Sequence, residues 1–315
     1  MGIMHLAGLG RSPGAVTAGL SLLQHEYGDS PEYGEIIEGV VVFTSPEVAT
    51  GAERAFDSEH NEYMSLTVQK TWPRGKKHAV EVLTEFFQRE IRQGTLYLCQ
   101  VDVNDFSACF EAVAKATLRF HRPGEVGKHI WANITGGTNP LNAALFQTAY
   151  LSGFISRLYY TFVSDIRQYG KYLQPFSKDA SLFDFREVYV LKTAFDDRYQ
   201  HVLEELELVA EEDPTRWLTS QELLGRLKSK GVLGFQGMDA RTFLLDFLHV
   251  MQGRGLRRRN NEDRIRLDPE IGPAILRILR SDLVQALFKG GVLPDEEVDR
   301  LTSDLRLTEC WSQRS

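Results

Sequence analysis

Two glycine turns hold the residues best placed to do chemistry. Gly8-Leu9-Gly10-Arg11-Ser12-Pro13-Gly14 follows a short apolar run, Ile3 to Gly8, and leads at once into an apolar helix over Ala15 to His25. It sets a guanidinium (Arg11) and a hydroxyl (Ser12) beside a helix N-terminus, where free amides and the positive dipole end favour anions. That is phosphate-handling chemistry. The second turn, Ala132-Asn133-Ile134-Thr135-Gly136-Gly137-Thr138-Asn139-Pro140, ends a strand over His129 to Thr135 and starts another helix. Thr138 or Asn139 supplies its N-cap, and Pro140 fits the first helical position. Without Cβ atoms, Gly136 and Gly137 let another group approach the backbone closely. One such turn is often a mere connection; the pair is the signal.

Other chemistries fit poorly. No Gly-Lys-Ser/Thr follows either turn, and neither matches the GxGxxG dinucleotide fingerprint, which speaks against P-loop hydrolysis. The eight histidines are dispersed with no HExxH or His/carboxylate grouping, so neither a metal nor another cofactor is expected. Ser12 has no histidine in its loop, which argues against a hydrolase triad. With an RNA substrate the ribose 2′-hydroxyl itself can be the nucleophile, and the protein then need only align it and stabilise the phosphorane. Cys99, Cys109 and Cys310 lack metal-ligand spacing and read as thiols of a reducing cytosol. No apolar run reaches the ~20 residues of a membrane span and no signal peptide precedes His5, so a cytoplasmic protein is expected.

Strands must hold these turns in place. Gly39 to Ser45 is a β-branched run and reads as a buried strand. A helix is predicted over Pro46 to Phe56, a strand over Ser65 to Lys70, and a helix over Lys77 to Arg92. A strand over Leu96 to Val103 and a helix over Phe106 to Phe120 come next. After the Gly-Gly turn a helix over Leu141 to Leu151 and a strand over Arg157 to Val163 complete the series. Strands alternating with long helices imply parallel pairing through crossover helices, with the ligand site beyond the carboxyl ends of the strands. Both turns fall on that edge. Phe185 to Leu191 reads as an extra strand, antiparallel at the sheet edge.

The chain's 315 residues suffice for roughly two domains. The expected division is a ligand-binding domain over 1–165, a connector with an acidic helix over 166–213, and a C-terminal domain over 214–315. Its fold class is α/β: a Rossmann-like parallel sheet with helices on both faces, followed by a mostly helical winged helix–turn–helix domain. In that second part, helices over Leu218 to Leu227 and Ala240 to Gln252 precede a basic hairpin with an Asn260-Asn261-Glu262-Asp263 turn. Closing helices are predicted over Glu270 to Leu287 and Pro294 to Leu305. A net charge of −7 excludes a general nucleic-acid binder, so DNA contact would have to come from Arg257, Arg258 and Arg259. The competing reading pairs those arginines with neighbours such as Glu262 and Asp263 in a docking module. The weak basicity of the preceding helix favours it.

The two turns together resemble those of a CARF domain, the CRISPR-associated Rossmann fold, over about residues 1–165. A C-terminal winged helix–turn–helix fits both the regulator-like members and the ring nucleases of that family. The resemblance implies a homodimer whose two-fold cleft binds cyclic oligoadenylate, the second messenger of type III CRISPR systems, with cyclic tetra-adenylate the expected ring. It implies that Gly10, Arg11, Ser12 and Pro13, with Thr44, Thr135, Gly136, Gly137, Thr138 and Asn139, line the cleft. In ring nucleases of the family a serine in the first loop and a lysine in or after the Gly-Gly loop assist metal-independent cleavage, which makes Ser12 and Arg11 the catalytic candidates. Asn139 stands where many members have that lysine; Arg11, or Lys171 from another loop, would have to replace its charge. Sensor and ring nuclease are thus both open, with an unrelated nucleotide-binding α/β protein as the third reading.

Overall fold

β1 (Gly2–Gly8) is buried at every position, as a strand covered on both faces must be. The computed structural model describes the chain except residues 1, 11, 28–34, 53, 58–61, 66–77, 92–93, 122–128, 164–182, 189–196, 252–254, 260–261, 290–292 and 314–315. α1 (Gly14–Tyr27) follows β1, and β2 (Glu35–Thr44) pairs parallel to it. Then come α2 (Pro46–Thr50), a separate hairpin of β3 (Arg54–Asp57) and β4 (Glu62–Ser65), and α3 (Ala79–Glu90). β5 (Gly94–Gln100), α4 (Phe106–Phe120), β6 (His129–Asn133), α5 (Asn139–Ser152) and β7 (Ile155–Val163) complete the alternation. β8 (Phe183–Val188) is antiparallel to β7.

The sheet has seven strands in the order β11-β5-β2-β1-β6-β7-β8, where β11 (Leu307–Gln313) is the last described element. Its five central strands are parallel and both edges antiparallel. The α/β expectation therefore holds, as a mixed sheet with a parallel centre. Right-handed crossovers put α1 and α3 on one face, because the chain first steps from β1 through β2 to β5. It then returns past β1 to β6 and β7, which places α4 and α5 on the other. On the first face Ile3, Ala7, Val40, Val42, Leu96 and Trp131 form one buried cluster with Val16, Leu20, Leu83, Phe86 and Phe87.

Against the sequence reading, some helices are shorter or divided, and one predicted strand falls where the description has a gap. The helix predicted over Pro46 to Phe56 stops at Thr50, because Gly51 turns left-handed (φ 70°) and its N–H caps Val48 O. The strand expected over Ser65 to Lys70 lies almost wholly outside the described residues. The predicted helix over Glu270 to Leu287 is two, α9 (Gly272–Leu279) and α10 (Asp282–Lys289), and α11 (Asp295–Thr302) ends short of Leu305.

By contacts the chain forms two units, residues 1–193 with 286–315, and residues 194–285. Residues 286–315, assigned by sequence to the C-terminal domain, thus lie with the first unit. β11 is the reason: it pairs antiparallel with β5, Trp311 packs edge-on against Phe87 at 5.6 Å, and Lys115 on α4 bonds Asp304 at 2.6 Å. The second unit holds α6 (Asp197–Glu212), α7 (Ser220–Ser229), α8 (residues 240–251, π-helical over Phe243–Leu248), the hairpin β9 (Leu256–Arg258) and β10 (Ile265–Leu267), and α9. α6 is a core helix of this unit, with Val202, Leu203 and Leu206 buried. Glu205, one of the acids of the helix that the sequence reading placed in the connector, is 2% exposed and bonded by Arg226 and by Lys230 at 2.5 Å, both on or just after α7. No helix among the described residues is long and apolar enough to cross a membrane.

His5, in the middle of β1, is fully buried between Trp131 and Tyr159. Its Nε2 donates to Ile36 O at 2.9 Å, so Nδ1 is the acceptor for the Tyr159 hydroxyl at 3.2 Å. Burial pushes its pKa down to about 4, against a smaller raising effect of the Ile36 carbonyl. The unfolded chain therefore takes up this proton first as pH falls. The group's stabilisation is complete above the unfolded value near 6.5 and is lost towards pH 4, by about 3 kcal/mol in total. Urea unfolding at stepped pH should show that loss in the wild type and a flatter profile for His5→Phe.

Candidate functional site

The strand order reverses between β1 and β6: one crossover series leaves β1 to one side and the other arrives at β6 on the opposite side. Such a switch point opens a crevice beyond the carboxyl ends of the two strands. The pairing Ala7↔Asn133 brings Gly8 level with the start of the β6–α5 turn. Contact is backbone on backbone. A Cβ on Gly8 would stand 2.8 Å from Gly137 Cα, and one on Gly136 would stand 2.6 Å from Gly8 O and 3.1 Å from Ala15 Cβ. Gly137 has φ 85°, open to glycine at no cost and strained for other residues. The missing Cβ atoms of Gly136 and Gly137 therefore make room for the first loop itself.

Hydrogen bonds tie the two loops together and to the sheet. Asn133, 1% exposed, donates from Nδ2 to Ala15 O at 3.1 Å and accepts from the Thr135 N–H at 2.8 Å. The Thr135 hydroxyl accepts from the Thr161 N–H at 2.8 Å and lies 3.3 Å from the Thr161 hydroxyl. Thr44, at the end of β2, is fully buried and donates to Leu9 O at 2.8 Å, so it steadies the first loop from behind. The Thr138 hydroxyl donates to Val103 O and does not cap α5. The first-turn amides of α5 thus lack a side-chain cap.

The remaining candidates divide clearly. Ser12 is half-buried, and its Oγ is buried with no partner among the described residues. A buried hydroxyl without a partner costs about 1–3 kcal/mol, so its place in a glycine loop calls for an explanation. Pro13 is buried and its carbonyl takes the Val16 and Thr17 amides, each at 3.0 Å, opening α1. Gly10 has open space where a Cβ would stand, and Asn139 is exposed at the start of α5. Arg11 and Lys171 lie outside the described residues. Sequence reasoning missed Asn142, one turn into α5, whose Oδ1 is likewise buried without a partner, 3.6 Å from where a Cβ of Gly137 would be. Helical side chains lean towards the N-terminus, so a polar residue at this position covers the mouth of α5; that spacing was the available signal. Among the described residues no group of three His, Cys, Asp or Glu has metal-holding geometry.

In the second unit the hairpin arginines are largely engaged. Arg257 bonds Asp268 at 2.8 Å and Glu270 at 3.0 Å, and Arg259 lies 3.8 Å from Glu262. Arg258 approaches His249 Nδ1 at 3.5 Å, and Arg266 stacks over Trp217 at 4.5 Å. Asp263 turns back to bond the Ser220 N–H at 3.0 Å and its hydroxyl at 2.7 Å, fixing the hairpin to the start of α7. Residues 194–285 carry fourteen Lys and Arg against sixteen Asp and Glu, so the unit as a whole is slightly acidic and its basic residues are concentrated at the hairpin.

No protein-family model matches the chain. An uncharacterized protein of Archaeoglobus fulgidus is 28% identical over 195 residues, which cover 53% of this chain and 59% of that protein. The chain thus spans under two thirds of its relative's length. Among solved structures, protein VC1899 from Vibrio cholerae aligns over 90% of this chain and 66% of its own, at 10% identity and a TM-score of 0.33. Enterococcus italicus Csm6 bound to cyclic hexa-2′-fluoro-hexa-dAMP aligns over 81% and 56%, at 13% identity and a TM-score of 0.36.

The loop contact makes a testable distinction between two glycines. Gly136→Ala must part the loops, and should lower the unfolding free energy by about 2 kcal/mol or more, in the range of core overpacking. Gly10→Ala meets open space and should stay within about 0.5 kcal/mol of wild type. Urea denaturation of both variants reads the difference.

Proposed function

We propose that the first unit binds a cyclic oligoadenylate, of the tetra-adenylate size, in the crevice where the two glycine loops meet. The observation that carries this reading is the loop pair at the switch point, with the Ser12 hydroxyl buried and unpartnered beside it. The uncapped amides of α5 suit a phosphodiester oxygen, the Ser12 hydroxyl supplies a further donor, and the Asn142 oxygen suits a ligand N–H or O–H. Arg11, Gly10, Thr135 to Asn139 and Asn142 are the residues we assign to the cleft. Thr44 and Pro13 act behind it. A ring with two-fold pseudosymmetry is matched by an isologous dimer, so we propose a homodimer formed through the first unit. The second unit we read as a winged helix–turn–helix docking module: Leu218 bridges Ile265 beside the hairpin, and Arg257 and Arg259 pair with acids within the unit. On this reading the protein senses the messenger of a type III CRISPR response in the cytoplasm.

The unpartnered Ser12 hydroxyl also favours a second reading, metal-independent ring cleavage. The ribose 2′-oxygen would form a bond to the adjacent phosphorus while the P–O5′ bond breaks. This leaves a 2′,3′-cyclic phosphate and, with the 2′-hydroxyl proton delivered to it, a 5′-hydroxyl. Ser12 would hydrogen-bond a non-bridging oxygen, and Arg11 with the α5 amides would hold the growing charge. Asn139 adds no charge there.

Titration of the protein with cyclic tetra-adenylate and cyclic hexa-adenylate, with chromatography of the products and light scattering of the complex, tests both readings. A dimer binding the tetra-adenylate ring with Kd of ~1 μM or tighter is expected. A monomer, or no binding at a hundredfold higher concentration, would refute the assignment. If cleavage occurs it should persist in EDTA, and Ser12→Ala should slow it by about 10²–10³-fold while binding is nearly kept. Full cleavage by that variant would remove Ser12 from the chemistry.

A further inference from the structure

We infer that Asn133 is the positioning residue of the crevice: its side chain sets the spacing between the two glycine loops and so prepares the site for its ligand. This rests on the crevice being the ligand site. Asn133 is 1% exposed and cannot itself line the cleft. Its amide nevertheless joins the two loops: Nδ2 donates to Ala15 O in the first turn of α1, and Oδ1 accepts from the Thr135 N–H in the Gly-Gly turn. The two partners fix the orientation of the amide, since a carbonyl can only accept and an N–H can only donate. No other side chain type of that length offers both a donor and an acceptor in one rigid plane. The β1–β6 ladder fixes the strand register but ends at Ala7↔Asn133, and beyond that point it does not oppose displacement of the start of α1 against the Gly-Gly turn. The Asn133 bridge, 118 residues apart in sequence, opposes that motion.

Gly19 supplies an independent sign of the same role. It lies inside α1, where glycine is unfavourable, yet a Cβ there would stand 2.8 Å from Asn133 Nδ2 and 3.1 Å from Tyr159 Cε2. The helix gives up a better residue at the place where the Asn133 amide must pass. Since preorganised donors lose their effect when moved by about an ångström, a displaced bridge should act on affinity at a distance.

The test uses the full chain with Asn133→Asp and Gly19→Ala. The first keeps an acceptor for Thr135 and loses the donor to Ala15; the second pushes the amide from outside both loops. Cyclic tetra-adenylate binding, thermal unfolding and amide hydrogen exchange are measured together. We expect both variants to fold and to bind about tenfold or more weakly. In Asn133→Asp the Thr135 amide should stay protected while the Val16 and Thr17 amides exchange faster. Affinity within twofold of wild type in both folded variants would overturn the role. If the wild type does not bind the ring, the ligand assignment fails by itself. The bridge is then judged on exchange alone: unchanged Val16 and Thr17 protection in both variants would overturn it. Should Gly19→Ala fail to fold, Asn133→Asp decides.

Discussion

The contact of Gly8 with Gly136 and Gly137 is the constraint on which this architecture depends. Two strands that are neighbours in the sheet, and opposite in the direction their crossovers take, deliver their loops to one spot. Side chains at those three positions would separate the loops by their own thickness. Without them the backbones touch, and the first turns of α1 and α5 start from a common point. Four polar side chains are arranged around that contact: Asn133 across it, Thr44 beneath the first loop, Thr135 and Thr161 beneath the second.

Much of this could be read from the sequence, and the part that could not has one physical character. The parallel strands β1, β2, β5, β6 and β7 are apolar runs whose partners lie on both faces, so composition reveals them. The glycine turns show themselves by residue type. β11 does not, because Leu307 to Gln313 is a polar-rich stretch whose strand partner, β5, lies far away in sequence. Glu205 was legible only as one acid among several on α6, and its burial follows from Arg226 and Lys230 on the facing element. Asn133 was visible as part of a motif, but its partner at Ala15 was not. In each case the missing information was a long-range contact.

The site residues show the same division. Residue type singled out Ser12, and its unpartnered hydroxyl in the folded chain agrees with a functional reason for its presence. The family resemblance put Thr44 with the site, and in the fold its hydroxyl donates to Leu9 O of the first loop. The glycines were read as letting another group approach the backbone, and the group that does so in the fold is the opposite loop. On the proposed reading the crevice would bind through backbone amides, Arg11 and a few hydroxyl and amide groups, with the glycines bringing the two loops together.

The return of the chain to β5 has a consequence for how the protein is made. Leu307 pairs with Cys99, so the β5 edge waits through the synthesis of the entire second unit before its neighbour exists. During that interval the emerging sheet has its parallel centre in place and one long side unpaired, the state in which nascent strands recruit the wrong partner. The second unit, inserted between β8 and β11, acts in this sense as a delay. A ribosome pausing within residues 194–285 would prolong the vulnerable state, and one moving quickly through them would shorten it.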